Sequence, residues 1–133
     1  MNARIVIIED NQANLELVKY LLECSGYEVS VARDGQQGVD LVPRVRPDLV
    51  VCDLQMPVLD GYQVLALLRQ NPDVARIPII AVTAFSMPND RQKVMTAGFD
   101  GYISKPIEPE AFVSQIGAFL PAALRRNLPK STD

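Results

Sequence analysis

Acidic residues follow two apolar segments of the chain, and their positions could bind a cation. Glu9 and Asp10 come directly after RIVII, and Asp53 comes directly after DLVVC. Two like charges about 4 Å apart repel by roughly 1 kcal/mol in water and roughly 4 kcal/mol near a protein surface. Acids that meet at the ends of buried segments therefore need a compensating positive charge. With three carboxylates, the expected charge is a hard cation such as Mg2+.

Two further polar residues follow apolar segments and extend this prediction to phosphoryl chemistry. Thr83 comes after IPIIAV, and Lys105 comes after GYIS. A hydroxyl and an ammonium group opposite a metal ion form a clamp for a phosphoryl group. An Asp carboxylate can accept that group as an aspartyl phosphate. The backbone carbonyl of Gln55, two residues past Asp53, is a candidate for a further metal ligand.

Each of these residues also has an ordinary structural interpretation. Glu9 and Asp10 could cap the helix that follows them, and Asp53 could cap a turn. Thr83 could be an ordinary strand residue, and Lys105 could be a solvated cation. Their joint placement at the ends of four apolar segments favours a common site.

The elements that must position these residues alternate along the chain. Strands are predicted at 4–8, 28–32, 48–52, 77–82 and 101–104, with helical patterns between them. Continuously apolar runs such as LVVC and IIAV are typical of a parallel sheet covered on both faces. We therefore predict an α/β fold, a (βα)5 doubly wound five-stranded parallel sheet in the flavodoxin-like order 2-1-3-4-5. In that order the carboxyl ends of strands one and three flank the crevice in which ligands bind.

The helices differ in how clearly the sequence defines them. Asp60 is the predicted N-cap of the third helix, and Pro109 is placed in the first turn of the fifth. Pro43 is expected to kink or end the second helix. The fourth helix has only Val94, Met95 and Ala97 to bury, so we expect it to be weakly anchored.

Length and composition limit the possible functions. The 133 residues fit one domain, predicted at 1–121, with a polar tail at 122–133. The net charge of −3 argues against direct binding of nucleic acid. We find no apolar run that could span a membrane and no signal peptide, and we expect a cytoplasmic protein. The chain has no histidine, so any step that needs an imidazole must receive it from a partner.

Four motifs together resemble the receiver domains of bacterial response regulators, the CheY-like superfamily, from about Arg4 to Leu120. The motifs are IIEDN, VVCDLQMPVLDG, AVTAF and YISKPI. The combination of VTAFSM with ISKPI is especially similar to single-domain receivers of the DivK type. The resemblance implies two-component signalling, without an output domain and without an enzymatic activity beyond the domain's own phosphoryl transfer and dephosphorylation.

The resemblance implies a role for each site residue. Asp53 would accept a phosphoryl group from a phosphohistidine on a sensor histidine kinase or a histidine phosphotransfer protein. Mg2+, for which Mn2+ can substitute, would be bound directly by Asp10 and Asp53, through water by Glu9, and by the Gln55 carbonyl. Lys105 would contact the phosphoryl group.

The resemblance also implies how the phosphoryl group would be sensed. The Thr83 hydroxyl would move toward it, and Tyr102 would turn inward. A downstream protein would then bind on helix four, strand five and helix five. The Lys105–Pro106 peptide bond is expected to be cis. Gln55 and Phe85 would flank the route of attacking water and tune the phosphoryl lifetime, with Phe85 slowing hydrolysis.

Three alternatives remain open at this point. The chain could be a receiver domain excised from a hybrid kinase, or a receiver-like adaptor that acts without phosphorylation. It could also be an Mg2+-dependent phosphohydrolase with a nucleophilic Asp. Such enzymes typically carry a second Asp two residues after the nucleophile, where this chain has Gln55.

Overall fold

A computed structural model of the chain describes residues 2–84 and 88–120, and within them strands and helices alternate. The elements are β1 Arg4–Ile8, α1 Gln12–Cys24, β2 Glu28–Ala32, α2 Gly35–Val45, β3 Leu49–Asp53, α3 Gly61–Gln70, β4 Ile79–Thr83, α4 Pro88–Ala97, β5 Gly101–Ser104 and α5 Pro109–Ala118. Phe85 and the tail predicted at 122–133 lie outside the described residues, so their predicted roles are not addressed by this structure.

The strands form one parallel sheet in the order β2-β1-β3-β4-β5, which confirms the predicted topology. β1 lies between β2 and β3, and its Ile8 is opposite Cys52 of β3. The side chains of β3 and β4 are buried throughout, as expected for strands covered on both faces. The sheet therefore brings the carboxyl ends of its strands to a common edge.

Two hydrophobic clusters cover the two faces of the sheet. On one face, Leu22 of α1 and Phe112 of α5 pack in the cluster that contains Ile7 and Val51. On the other face, Leu68 of α3 and Val94 of α4 pack in the cluster that contains Val50. This double burial fixes the backbone from which the polar edge residues project.

The first three helices, α1, α2 and α3, begin with short polar side chains that cap them. Asp60 caps α3 and forms a reciprocal capping box with Gln63, as the sequence predicted for Asp60. Pro109 lies in the first turn of α5, also as predicted. The cap of α1 is Asn11, whose side chain accepts a hydrogen bond from the Asn14 N–H. The capping alternative for Glu9 and Asp10 is therefore not what the structure shows.

Two helices differ from their predictions in detail. α2 continues two residues past Pro43, to Val45. The residue that caps its end, Arg46, has a left-handed φ of 51°. Because Pro43 lies in the last turn, the helix loses only the hydrogen bond that this residue would have donated. In α4, Val94 is buried, whereas Met95 is 42% exposed and Ala97 is also exposed. α4 thus has even less buried apolar surface than the sequence predicted.

Two strand boundaries also shift toward the site. β3 and β4 were predicted to end at residues 52 and 82, but they include Asp53 and Thr83. The reason is that strand pairing extends one residue further, with Asp53 opposite Val82 and Thr83 opposite Ser104. Both site residues are thereby held by the sheet rather than by loops. Across the described residues, the helices are too short or too polar for any to span a lipid bilayer.

Gly61 provides a test of how tightly α3 packs on the end of β3. A Cβ atom at Gly61 would lie 2.7 Å from the Asp53 carbonyl oxygen and 2.8 Å from the Leu54 Cα. Because those atoms belong to the backbone, we expect Gly61→Ala to lower the free energy of unfolding by about 1–3 kcal/mol. Urea unfolding measures this change. The control is Ala66→Gly on the exposed side of α3, which should cost only about 1 kcal/mol from helix propensity. A stabilised Gly61→Ala protein would contradict this close packing.

Candidate functional site

Three carboxylates meet at the carboxyl edge of the sheet. Glu9 and Asp10 follow β1, and Asp53 ends the neighbouring β3; each offers an oxygen, and these oxygens lie within 4.8 Å of one another. Glu9 is 4% exposed and Asp53 is 5% exposed, whereas Asp10 is exposed. The structure therefore brings together the three acids that the sequence predicted to be neighbours.

Lys105 supplies a positive charge beside the two buried acids. Its Nζ lies 3.3 Å from Glu9 Oε1 and 3.4 Å from Asp53 Oδ2. The Lys105 backbone N–H donates to the Thr83 carbonyl oxygen at 2.8 Å, which fixes the root of the side chain against β4. The Lys105–Pro106 peptide bond is cis, the isomer that the resemblance implied. One ammonium group against three acids leaves the site able to accept further positive charge.

Glu9 is the acid most affected by this environment. Its pKa is raised from 4.5 to about 7, first by burial and then by the hydrogen bond and the charge of Asp53. The Asn11 N–H donates to Glu9 Oε2 at 3.1 Å, and both this bond and Lys105 oppose the rise in pKa. A proton on Glu9 therefore relieves part of the repulsion between Glu9 and Asp53.

The loop that follows Asp53 forms hydrogen bonds that hold its side chain. The Gln55 N–H donates to Asp53 Oδ1 at 3.2 Å, and the Leu54 carbonyl accepts from the Gly61 N–H at 2.9 Å. These bonds fold residues 54–61 back over the acceptor strand. Gln55 itself is exposed, and its backbone carbonyl belongs to this loop.

Thr83 and Tyr102 lie on the β4–β5 side of the site. Thr83 is completely buried at the end of β4. Tyr102 is half-buried on β5 and packs against the cluster that contains Val94 and Phe99. Burial raises the pKa of the Tyr102 hydroxyl, with a further contribution from the charge of Asp90.

A cavity of about 480 Å³ opens beside Thr83, between the 54–61 loop and α4. Its lining includes the predicted cap Asp60, together with Tyr62, Asp90 and Lys93, which no sequence motif had singled out. Tyr62 directly follows the predicted cap Asp60-Gly61, but Lys93 belongs to the most weakly patterned helix. Only the packing of α4 against α3 brings these two residues to the same cavity.

Comparison with known proteins agrees with this fold. The family model of the response regulator receiver domain matches residues 5–117 of this chain. The polar-differentiation response regulator DivK of Brucella anthropi is 39% identical over 120 residues, which cover 90% of this chain and 98% of that protein. DivK of Brucella ovis is 38% identical over the same shares.

Solved structures show the same similarity. The signal receiver domain of a signal transduction histidine kinase from Syntrophus aciditrophicus is 32% identical, with a TM-score of 0.81 and 98% of each chain covered. The receiver domain of a sensor histidine kinase from Pseudomonas aeruginosa is also 32% identical, with a TM-score of 0.82, covering 90% of this chain and 98% of the other. Chemotaxis protein CheY4 of Vibrio cholerae is 26% identical, with a TM-score of 0.85, covering 90% of this chain and all of the other.

A parallel sheet in the order 2-1-3-4-5 with acids and a lysine at its carboxyl edge defines the CheY-like receiver class of two-component signalling proteins. The chain belongs to the response regulator receiver domain family.

The raised pKa of Glu9 predicts how the stability of the metal-free protein depends on pH. Between pH 4.5 and about 7, Glu9 keeps its proton in the folded protein but has lost it in the unfolded chain. The stability is therefore highest below pH 4.5 and falls as the pH rises through about 7. The pKa rise to about 7 corresponds to at most about 3 kcal/mol. Thermal unfolding in a chelating buffer at pH 5 and pH 8 measures the slope.

Glu9→Gln should flatten this slope, because an amide does not titrate. Glu23→Gln, which changes an exposed acid on α1, is the matched control and should keep the wild-type slope. Equal slopes for the wild type and Glu9→Gln would refute the assignment of the effect to Glu9.

Proposed function

We propose that the protein is a phosphorylation-dependent switch of two-component signalling and that Asp53 is its phosphoryl acceptor. The observation that carries this proposal is the position of the Asp53 carboxylate, at a strand end beside the Glu9–Asp10 pair and 3.4 Å from the Lys105 ammonium. The acids can hold a metal ion next to the acceptor, and Lys105 can neutralise a phosphoryl oxygen.

The donor set fits Mg2+. All three acids supply oxygen, which Mg2+ prefers, and they contribute no nitrogen or sulfur ligand. Ligands about 2 Å from a common ion lie at most about 4 Å apart, so oxygens within 4.8 Å need only a small contraction. In this proposal Asp10, Asp53 and the Gln55 carbonyl contact the ion, Glu9 contacts it through water, and Mn2+ can substitute. When bound, the metal neutralises charge on the phosphoryl group.

The similar receiver domain from Pseudomonas aeruginosa has a magnesium ion coordinated in its active site cleft. That observation, at 32% identity, supports placing the ion at the corresponding edge of this sheet. This support for a magnesium site comes from similarity and is additional to the argument from the oxygen ligands.

The phosphoryl donor in this proposal is a phosphohistidine on a sensor histidine kinase or a histidine phosphotransfer protein. The chain has no histidine of its own, so the imidazole must come from the partner. An Asp53 oxygen attacks phosphorus, a P–O bond forms, the P–N bond breaks, and the imidazole leaves with the electron pair and takes up a proton. Asn11 and Gln55 N–H groups hold the neighbouring carboxylates in place during transfer.

The change that follows phosphorylation involves the β4–β5 side of the site. A phosphoryl group adds roughly −1.5 to −2 charge units and three strong acceptor oxygens. Thr83 then moves toward these oxygens and Tyr102 turns inward, which shifts α4. A downstream protein reads the result on the face formed by α4, β5 and α5. The protein thus acts by signalling rather than by turnover of a substrate, and we place it in the cytoplasm, where its kinase partners act.

The receiver domain in this proposal extends over 1–121. Similarity to receivers of histidine kinases as well as to DivK leaves the excised-receiver alternative compatible with the same site chemistry. The phosphorylation-independent adaptor is the second alternative, and the intact acid set with Lys105 argues against it.

Phosphoryl transfer to Asp53 is tested directly with a small acyl phosphate. We expect Mg2+-dependent incorporation of radiolabelled phosphate from acetyl phosphate into the wild type and loss of incorporation to background in Asp53→Asn, because an amide oxygen is a poor nucleophile. The control Asp40→Asn, an acid on the surface of α2, should label like the wild type. Unchanged labelling of Asp53→Asn would overturn the assignment. A partner that binds equally well to the phosphorylated and the unphosphorylated protein would favour the phosphorylation-independent adaptor.

Metal binding is tested through stability. Mg2+ at a hundred times its dissociation constant should stabilise the wild type by about 2.7 kcal/mol. Asp10→Asn should lose most of this gain, yet its metal-free stability should be unchanged or slightly raised, because one repelling charge is removed. Thermal unfolding with Mg2+ and with a chelator measures both effects. A strongly destabilised metal-free Asp10→Asn would mean that Asp10 has a structural role instead.

A further inference from the structure

α4 is held to the rest of the domain by unusually few contacts. Among its described side chains, at 89–97, Val94 alone is buried, and most of the others are exposed. A helix that packs on a sheet normally buries a continuous apolar stripe. Where that stripe is reduced to one residue, a single additional contact contributes a large part of the free energy that fixes the position of the helix.

Tyr62 of α3 makes such a contact. The Nζ of Lys93 lies 5.3 Å from the centre of the Tyr62 ring, within the range of a cation–π interaction. The same ring packs edge-on against Phe99, with ring centres 5.8 Å apart and an angle of 74° between the planes. Phe99 is 3% exposed and lies just beyond the end of α4. Tyr62 thus touches both α4 and the segment that connects α4 to β5.

Tyr62 is also tied to the acceptor strand. It follows Gly61, whose N–H donates to the Leu54 carbonyl, and Leu54 follows Asp53 directly. A Cβ atom at Gly61 would meet the Asp53 carbonyl oxygen at 2.7 Å, so the start of α3 rests on the backbone of the acceptor residue. The loop that begins at Leu54 is therefore joined to Tyr62 through the backbone of Gly61.

The far end of α4 is fixed by a separate set of bonds. Arg69 of α3 donates to the Gly98 carbonyl at 3.4 Å and to Asp100 Oδ2 at 2.7 Å. The same Asp100 oxygen accepts the backbone N–H of Ile79 at 2.8 Å, which ties this corner to β4. α4 can thus pivot about its Gly98 end more easily than it can move as a whole.

We propose that Tyr62 is a positioning residue which, through Lys93, holds α4 in its present place, and that Asp53, Gly61, Tyr62 and Lys93 form a connection from the acceptor to α4 distinct from Thr83 and Tyr102. The inference rests on the proposed role of Asp53 for its functional meaning. The contact holds the resting position, so breaking it lets α4 leave that position without phosphorylation. The population of the displaced state sets how tightly a phosphoryl mimic binds.

Amide hydrogen exchange of the metal-free protein tests the contact itself. Lys93→Gln removes the cation and should speed exchange of the α4 amides by about two- to fivefold, the factor expected for an exposed cation–π pair. Tyr62→Leu removes the ring and should do the same. Exchange in the β1 and β3 amides should stay unchanged, because the contact acts on α4 alone.

Three variants keep the contact or leave it untouched. Lys93→Arg retains the cation and Tyr62→Phe retains the ring, so both should exchange like the wild type, and Lys19→Gln removes an exposed lysine on α1. Unchanged α4 exchange in Lys93→Gln would overturn the proposal. So would an equal acceleration in Lys93→Arg, or an acceleration spread evenly over the sheet, which would show a merely structural role.

Binding of beryllium fluoride with Mg2+, as a phosphoryl mimic, tests the connection to the acceptor. Lys93→Gln should reach half-saturation at a concentration about two- to fivefold lower than the wild type and Lys93→Arg. Equal half-saturation in all three would overturn the connection. A wild type that does not bind the mimic would overturn the proposed function instead, and the exchange measurement would still decide whether Tyr62 holds α4.

Discussion

Repulsion among three carboxylates at one edge of the sheet is the constraint on which the rest of this structure depends. Glu9 and Asp53 are buried, Asp10 stands beside them, and the Lys105 ammonium bridges only the first two. Burial, together with the hydrogen bond and charge of Asp53, raises the pKa of Glu9, so the charged form of this acid is unfavourable in the site as it stands. A site that is electrostatically incomplete in this way is suited to binding a cation and to responding when a phosphoryl group changes its charge.

The sheet supplies the rigidity that this repulsion requires. β1 and β3 are neighbours in the centre of the sheet, their apolar side chains are buried on both faces, and strand pairing extends to Asp53 itself. The backbone of Asp53 cannot move away from the end of β1 without breaking this pairing. Gly61 adds a second restraint, because α3 begins against the Asp53 carbonyl with no room for a side chain. The negative charge of the three acids is thus held in one place by β1, β3 and the start of α3, and these elements are stabilised by the burial of their apolar side chains.

α4 stands in contrast to these fixed parts. Among its described side chains, at 89–97, Val94 alone is buried, while its far end is fixed through Arg69 and Asp100. Small changes in charge-assisted hydrogen bonding, each about 1.5–3 kcal/mol, can compete with so little buried surface but could not disturb the doubly covered strands. This difference in anchoring would let a charge change at the sheet edge move one helix and leave the sheet intact, as the proposed switch requires.

The sequence by itself determined the sheet and the acid cluster, since apolar strands end in Glu9–Asp10, Asp53, Thr83 and Lys105, and parallel topology places those ends along one edge. It also identified Asp60 as a cap, because that interaction is local. Only the tertiary structure decided that Lys105 reaches Glu9 as well as Asp53, and that Tyr62 meets Lys93. Such contacts join residues far apart in the chain, and no periodicity of either segment encodes the distance between them.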